Sequence, residues 1–174
     1  MLNYIKKWSY NKKLNEKKVQ VQRDADTLVN MGKKISILYE LDKLDDYNIV
    51  HRFKEKLSKE GRVVKTLSYI DQKIDVATFS QKAFSRKEIT WDGIPDSPYV
   101  EDFINWESDI LICPIQEMRP GYEYIIRISP ARFKIGLSCP QAEELFDLII
   151  DIPTITKLDQ ILEEILNQLK IISH

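Results

Sequence analysis

Short apolar runs alternating with segments of helical period constrain this chain more than any other feature. Ile35–Glu40 (ISILYE), Val63–Tyr69, Asp109–Cys113 (DILIC), Phe133–Leu137 and Leu148–Ile152 are each five to seven residues long and bounded by charges, Gly or Pro. Predominantly apolar segments of that length, with Val63–Tyr69 alternating around Lys65, mark the strands of a parallel sheet covered by helices. Between the first two runs, Asp45 and Asp46 open a helix with Ile49, Val50, Phe53 and Leu57 on one face and Gly61 as its stop. Tyr99–Trp106 places Val100, Phe103 and Ile104 on one helical face. Residues 120–129 fit either period, but Pro120 suits a first helical turn and Pro130 a stop, so a crossover helix is expected there. The final helix follows a Thr156/Asp159 capping pair and carries Leu158, Ile161, Leu162, Ile165, Leu166, Leu169 and Ile172 along one face. Residues 70–97 hold turn signals, Trp91-Asp92-Gly93-Ile94-Pro95 and Ser97-Pro98, with room for a short strand at Ile89–Trp91. The expectation is an α/β fold: a single open, mostly parallel five-stranded sheet with helices on both faces, Rossmann-like or flavodoxin-like.

A chain of 174 residues suits one such body, residues 35–174, preceded by an arm, residues 1–34. Folding at this size removes about 70% of the unfolded surface from water, so neither disulfides nor metals are required to hold the fold. The longest unbroken apolar run is Ile110–Cys113. A membrane-spanning helix needs about 20 such residues and a signal-peptide core roughly 7–15, so a soluble, cytoplasmic protein is expected.

Charge divides the chain where the arm meets the body. Residues 1–34 carry nine Lys or Arg against three acids, whereas the rest carry seventeen against twenty-four. A basic arm on an acidic body either seeks an external polyanion or lies against its own body. At the helical period, Leu14, Val21, Ala25 and Leu28 form a narrow stripe flanked by Lys17 and Lys18. Tyr4, Ile5, Trp8 and Tyr10 are interleaved with Lys6, Lys7, Lys12 and Lys13. Rings among lysines suit nucleic acid or an anionic lipid surface; the same stripe would equally pack a solvated helix onto the body.

Most standard catalytic devices are missing. The five glycines are isolated, with no GxGxxG and no GxxxxGK[ST], so ATP, GTP or NAD binding by those loops is not expected. The two cysteines and two histidines would all be needed for a four-ligand zinc site, including the terminal His174. No cofactor or metal is therefore expected. His51 reads as a surface helix residue, with a general base as the sharper alternative. In open α/β sheets ligands sit beyond the carboxyl ends of the strands, which here carry Asp42, Cys113, Ser138, Cys139 and Asp151. Cys113 lacks a neighbouring base and reads as a small core residue; Asp45 and Asp46 read as caps rather than Mg²⁺ ligands.

The run Ser129-Pro130-Ala131-Arg132-Phe133-Lys134-Ile135-Gly136, followed by Phe146-Asp147-Leu148-Ile149-Ile150-Asp151, resembles the signature of an uncharacterised bacterial α/β family of unknown function. The strand Asp109–Ile112 and the Lys-rich arm resemble it too, and the resemblance implies a cytoplasmic α/β protein without an assigned activity. The strands around Lys134-Ile135-Gly136 and Asp147–Asp151 are also similar to lipopolysaccharide heptosyltransferases, though in the opposite order and in a chain about half as long as two such domains. Two functions follow as expectations. The first is a non-catalytic binding module whose arm (Lys6, Lys7, Trp8, Lys12, Lys13, Lys17, Lys18) docks the body onto a nucleic acid, a ribonucleoprotein or a protein complex. The second is a small enzyme or ligand-binding protein acting on a nucleotide-sugar or phosphate ester at the strand ends.

Overall fold

The computed structural model describes residues 1–18, 20–21, 32–153 and 156–172. The apolar runs become strands β1 (Lys34–Glu40), β2 (Val63–Ile70), β4 (Ile110–Cys113), β5 (Phe133–Leu137) and β6 (Leu148–Ile150), and a further strand, β3, spans Ala83–Ser85. The sheet therefore has six strands rather than five, in the order β3-β2-β1-β4-β5-β6, and every pairing is parallel. β3 was not legible because three residues are too few for a period to show, and it pairs with β2 only at residues 68–70. Ile89–Trp91 is not a strand: Ile89 makes an isolated antiparallel bridge to Pro95, and Thr90 closes a turn by donating its amide to the Ile94 carbonyl at 2.9 Å.

Helices cover both faces. On one face lie α2 (Leu44–Lys59) and α6 (Leu158–Ile172); Val50, Phe53, Leu57, Ile161, Ile165 and Leu169 meet Ile35, Ile37, Ile112 and Ile135 of the sheet. On the other lie α3 (Pro98–Asn105), α4 (Pro120–Ile128) and the single turn α5 (Ala142–Leu145), packed on Leu38, Leu67, Leu111 and Cys113. Residues 120–128 are thus helical, with Pro120 in the first turn. Gly61, at φ +84°, ends α2 in the left-handed region, and the Arg62 amide returns to the Leu57 carbonyl at 3.3 Å.

Two local expectations differ in detail. Lys43, not Asp45 or Asp46, is the N-cap of α2; the two aspartates lie in its first turn, where Asp46 accepts the amides of Lys43 and Asp42 at 2.8 and 3.1 Å. Thr156 does not cap α6: its hydroxyl donates to the Pro153 carbonyl at 2.7 Å, and the first helical bond runs from the Ile161 amide to the Lys157 carbonyl. A hydroxyl bound to a preceding carbonyl makes a local turn, which competes with capping.

Among the buried polar residues, Lys134 is the one lysine in the described core. It is buried in β5, and its ammonium donates to the Ile126 carbonyl at 2.6 Å, near the end of α4. Cationic donors stabilise the open carbonyls at a helix C-terminus.

Candidate functional site

The arm supplies the first candidate surface. Helix α1 spans Leu2–Lys17, after which Lys18 is extended. The expected stripe is therefore not carried by one helix: Val21 lies beyond its end, and Ala25 and Leu28 fall outside the described residues. Instead, Tyr10 and Leu14 pack against Ile94, Tyr124 and Ile128, with the Tyr10 and Tyr124 rings 5.8 Å apart edge to face. Burial pushes the Tyr10 hydroxyl pKa up.

One carboxylate latches this helix to the body. The Asp92 side chain is fully buried and accepts hydrogen bonds from the Ser9 and Thr90 hydroxyls, each at 2.6 Å, and an ion pair from Lys13 at 2.9 Å. Burial alone would raise its pKa, but those three donors outweigh it and bring the carboxyl from 3.8 down to about 2. Asp92 is held in place by the turn it belongs to, in which Gly93 adopts φ +89°. The turn was legible from Trp91-Asp92-Gly93, but the partner 83 residues away was not.

With Ser9, Tyr10, Lys13 and Leu14 turned inward, the opposite face of α1 is displayed. Tyr4, Ile5 and Trp8 are 78%, 45% and 59% exposed. Tyr4, Trp8 and Lys12 are spaced i, i+4, i+8, one file about 6 Å apart along the axis, and the Lys12 ammonium sits 5.5 Å from the centre of the Trp8 ring. Lys7, Lys12, Lys17 and Lys18 are exposed and Lys6 is half-buried, so Lys13 alone of the six candidate lysines is committed to the body among the described residues.

The second candidate is the crevice at the strand ends. Strand order reverses between β1 and β4, which opens a cleft of about 620 Å³ beyond their carboxyl ends. Asp42 lines it; Cys113, Ser138, Cys139 and Asp151 do not. Cys113 is fully buried under α4, Cys139 is half-buried against the same core, and Ser138 and Asp151 are exposed beyond β5 and β6. The expected strand-end residues are therefore not brought together.

Arg119, which preceded the expected helix but was not singled out, organises the crevice. Its guanidinium reaches Asp71 at 2.6 Å, Glu40 at 3.1 Å and Glu117 at 3.4 Å, while Asp71 also pairs with Arg86 at 3.0 Å and accepts the Tyr69 hydroxyl at 3.0 Å. Burial raises the pKa of Glu40, an effect that Arg119 opposes. On the cleft wall Glu40, Asp42, Asp45, Asp46, Glu117 and Asp159 outnumber Lys43, Arg119 and Lys157. A wall of that sign repels phosphate. Among the described residues no three His, Cys, Asp or Glu side chains converge as metal ligands. His51 is exposed on α2, 3.7 Å from Glu55 and 5.8 Å from the Tyr47 ring.

Cys113 can be checked directly. Burial raises its thiol pKa well above the ordinary range, and a buried thiol with little thiolate reacts slowly. Cys139 is expected to label first with a thiol reagent in the native protein, and Cys113 only on unfolding; stoichiometric native labelling of Cys113 would contradict the packing described.

Among the described residues, no helix is long and apolar enough to cross a membrane. No curated protein and no solved structure matches the chain, heptosyltransferases included. A family model described as a family of unknown function, DUF6913, matches residues 3–172, taking in the arm helix, the sheet and the last helix together. The chain belongs to that family.

Proposed function

We propose that the protein is a non-catalytic binding module in which helix α1, latched to the α/β body through Asp92, docks the body onto a single-stranded nucleic acid. The observation that carries this reading is the outward file Tyr4–Trp8–Lys12, two exposed rings and a cation on a helix whose other face is already occupied. Single strands are bound by aromatic platforms for the bases together with cations for the backbone. Duplexes offer no unstacked bases to such a file. The acid-rich crevice at the strand ends gives a phosphate ester little purchase, which favours the arm over the second expectation.

A titration against single-stranded RNA, duplex DNA and anionic vesicles at two salt concentrations tests this. Single-stranded RNA is expected to bind, and its affinity to fall with salt by a log–log slope of about −0.7 for each phosphate neutralised. Removing Lys7 and Lys12 together should flatten that slope and leave the denaturation midpoint unchanged, because neither makes an ion pair with the body among the described residues. Preference for vesicles would reassign the surface to lipid. Absence of salt-dependent binding to all three would remove the polyanion reading and leave a protein partner.

A further inference from the structure

The sheet has an open edge, and the groove along it has a chemistry of its own. β3 pairs with β2 only at residues 68–70, so the first half of β2, Val63–Leu67, has no strand on its outer side among the described residues. The side on which each residue's backbone points is fixed by its neighbours. The Val63 amide donates inward to the Lys33 carbonyl at 2.8 Å, whereas the Ser68 amide donates outward to the Lys82 carbonyl at 3.1 Å. Backbone groups alternate in direction along a strand, so Val64 and Thr66 direct theirs to the open edge.

Alongside these groups runs a groove of about 410 Å³, with α2 as one wall and Trp106 as the other. Lys54, Lys65 and Lys82 line it with His51, Tyr47 and Trp106, and no carboxylate belongs to its wall. Two acids that meet its lining residues already have partners there: Asp102 pairs with Lys65 at 2.9 Å, and Glu55 lies beside His51. Lys54 and Lys82 have no carboxylate at ion-pair distance among the described residues; Lys82 lies 4.7 Å over the Tyr99 ring.

The geometry points to strand addition: an extended, acidic peptide segment of a partner protein pairs with the backbone of Val64 and Thr66, its carboxylates meeting Lys54 and Lys82. An unpaired edge with backbone donors and acceptors recognises another strand, and side-chain pockets beside it select the sequence. The excess of lysine selects for acidic segments and keeps basic ones away. A nucleic acid has no backbone amides or carbonyls to pair in this way, so the edge is distinct in chemistry from the outward face of α1.

Amide hydrogen exchange on the full chain tests this, with an eight-residue alternating Glu–Val peptide as probe and the matching Lys–Val peptide as control. In the free protein the amides of Val64 and Thr66 should exchange rapidly while those of Lys65 and Leu67, facing β1, are protected. Addition of the Glu–Val peptide should slow exchange at Val64 and Thr66 at least tenfold; the Lys–Val peptide should not. The double variant Lys54→Glu/Lys82→Glu should lose the response to Glu–Val and gain one to Lys–Val, with an unchanged denaturation midpoint showing that it folds. Protection of Val64 and Thr66 before any peptide is added would overturn the proposal. So would equal responses to the two peptides, no response at millimolar Glu–Val, or displacement of the peptide by single-stranded RNA in the Trp8→Ala variant.

Discussion

Replacing Asp92 by alanine is expected to release helix α1 from the body. The substitution removes a buried carboxylate that holds Ser9, Thr90 and Lys13 at once, and hydrogen bonds to a charged group are individually strong. A loss of about 2–4 kcal/mol in global stability or in arm docking follows, because single bonds to charged groups contribute about 1.5–3 kcal/mol and do not add fully. Trypsin distinguishes the two losses. Cleavage after Lys12, Lys13 or Lys17 at unchanged body stability means the latch holds only the arm, whereas a lower denaturation midpoint means the arm supports the body. Lys13→Met should show the same direction with a smaller effect, since Lys13 is half exposed. Acid should reproduce the release. The carboxyl is depressed from 3.8 to about 2 in the folded state, so its contribution is complete above about pH 4 and disappears as pH falls through 2. A wild-type arm equally protected at pH 2 and pH 6 would contradict the latch.

Ile165→Ala should lower stability by about 2–4 kcal/mol, most of it from the cavity left behind. Ile165 is fully buried in the middle of α6, among the residues that join α2 to the sheet. No neighbouring element can collapse into that space, because the sheet is close-packed on one side and α2 fixes the other. The denaturation midpoint measures it. An unchanged midpoint would mean that α6 is peripheral to the core rather than one of the two helices covering that face.

How legible these features were in the sequence depended on the range of the interactions behind them. Strands covered on both faces are apolar nearly throughout, so β1, β4 and β5 stood out as runs, and even Lys134 within β5 did not hide it. β2 showed instead by its alternation around Lys65, and β6, an edge strand with Ile149 exposed, by Leu148-Ile149-Ile150. β3 and α5, at three and four residues, are too short for their periods to repeat, and tertiary contacts rather than local patterning hold them in place. The helical stripe was read across the end of α1, because Lys17 ends that helix with neither Gly nor Pro to mark the stop. The latch is a contact across 83 residues. Its sequence sign, an aspartate just before the glycine of a turn, belongs equally to turns with no partner. Of the strand-end residues only Asp42 reaches the crevice, for the same reason: strand ends can be listed from the sequence, but which of them meet is decided by strand order. Glu40 ends β1, Asp71 follows β2 and Arg119 stands at the N-cap of α4, and the three become neighbours only in the folded sheet.

In the proposed nucleic-acid platform on α1, Trp8 carries the largest share of the binding. Fluorescence anisotropy of a labelled single-stranded RNA, titrated with wild type and with Trp8→Ala at two salt concentrations, tests it directly. The ring is 59% exposed and packs on none of the core clusters of the described residues, so its removal should leave folding intact. The expected loss is about 1–3 kcal/mol of binding free energy, the stacking contribution of one base, with the salt slope unchanged because no phosphate contact is lost. Equal affinity of the two proteins, or a loss confined to the salt slope, would contradict the account.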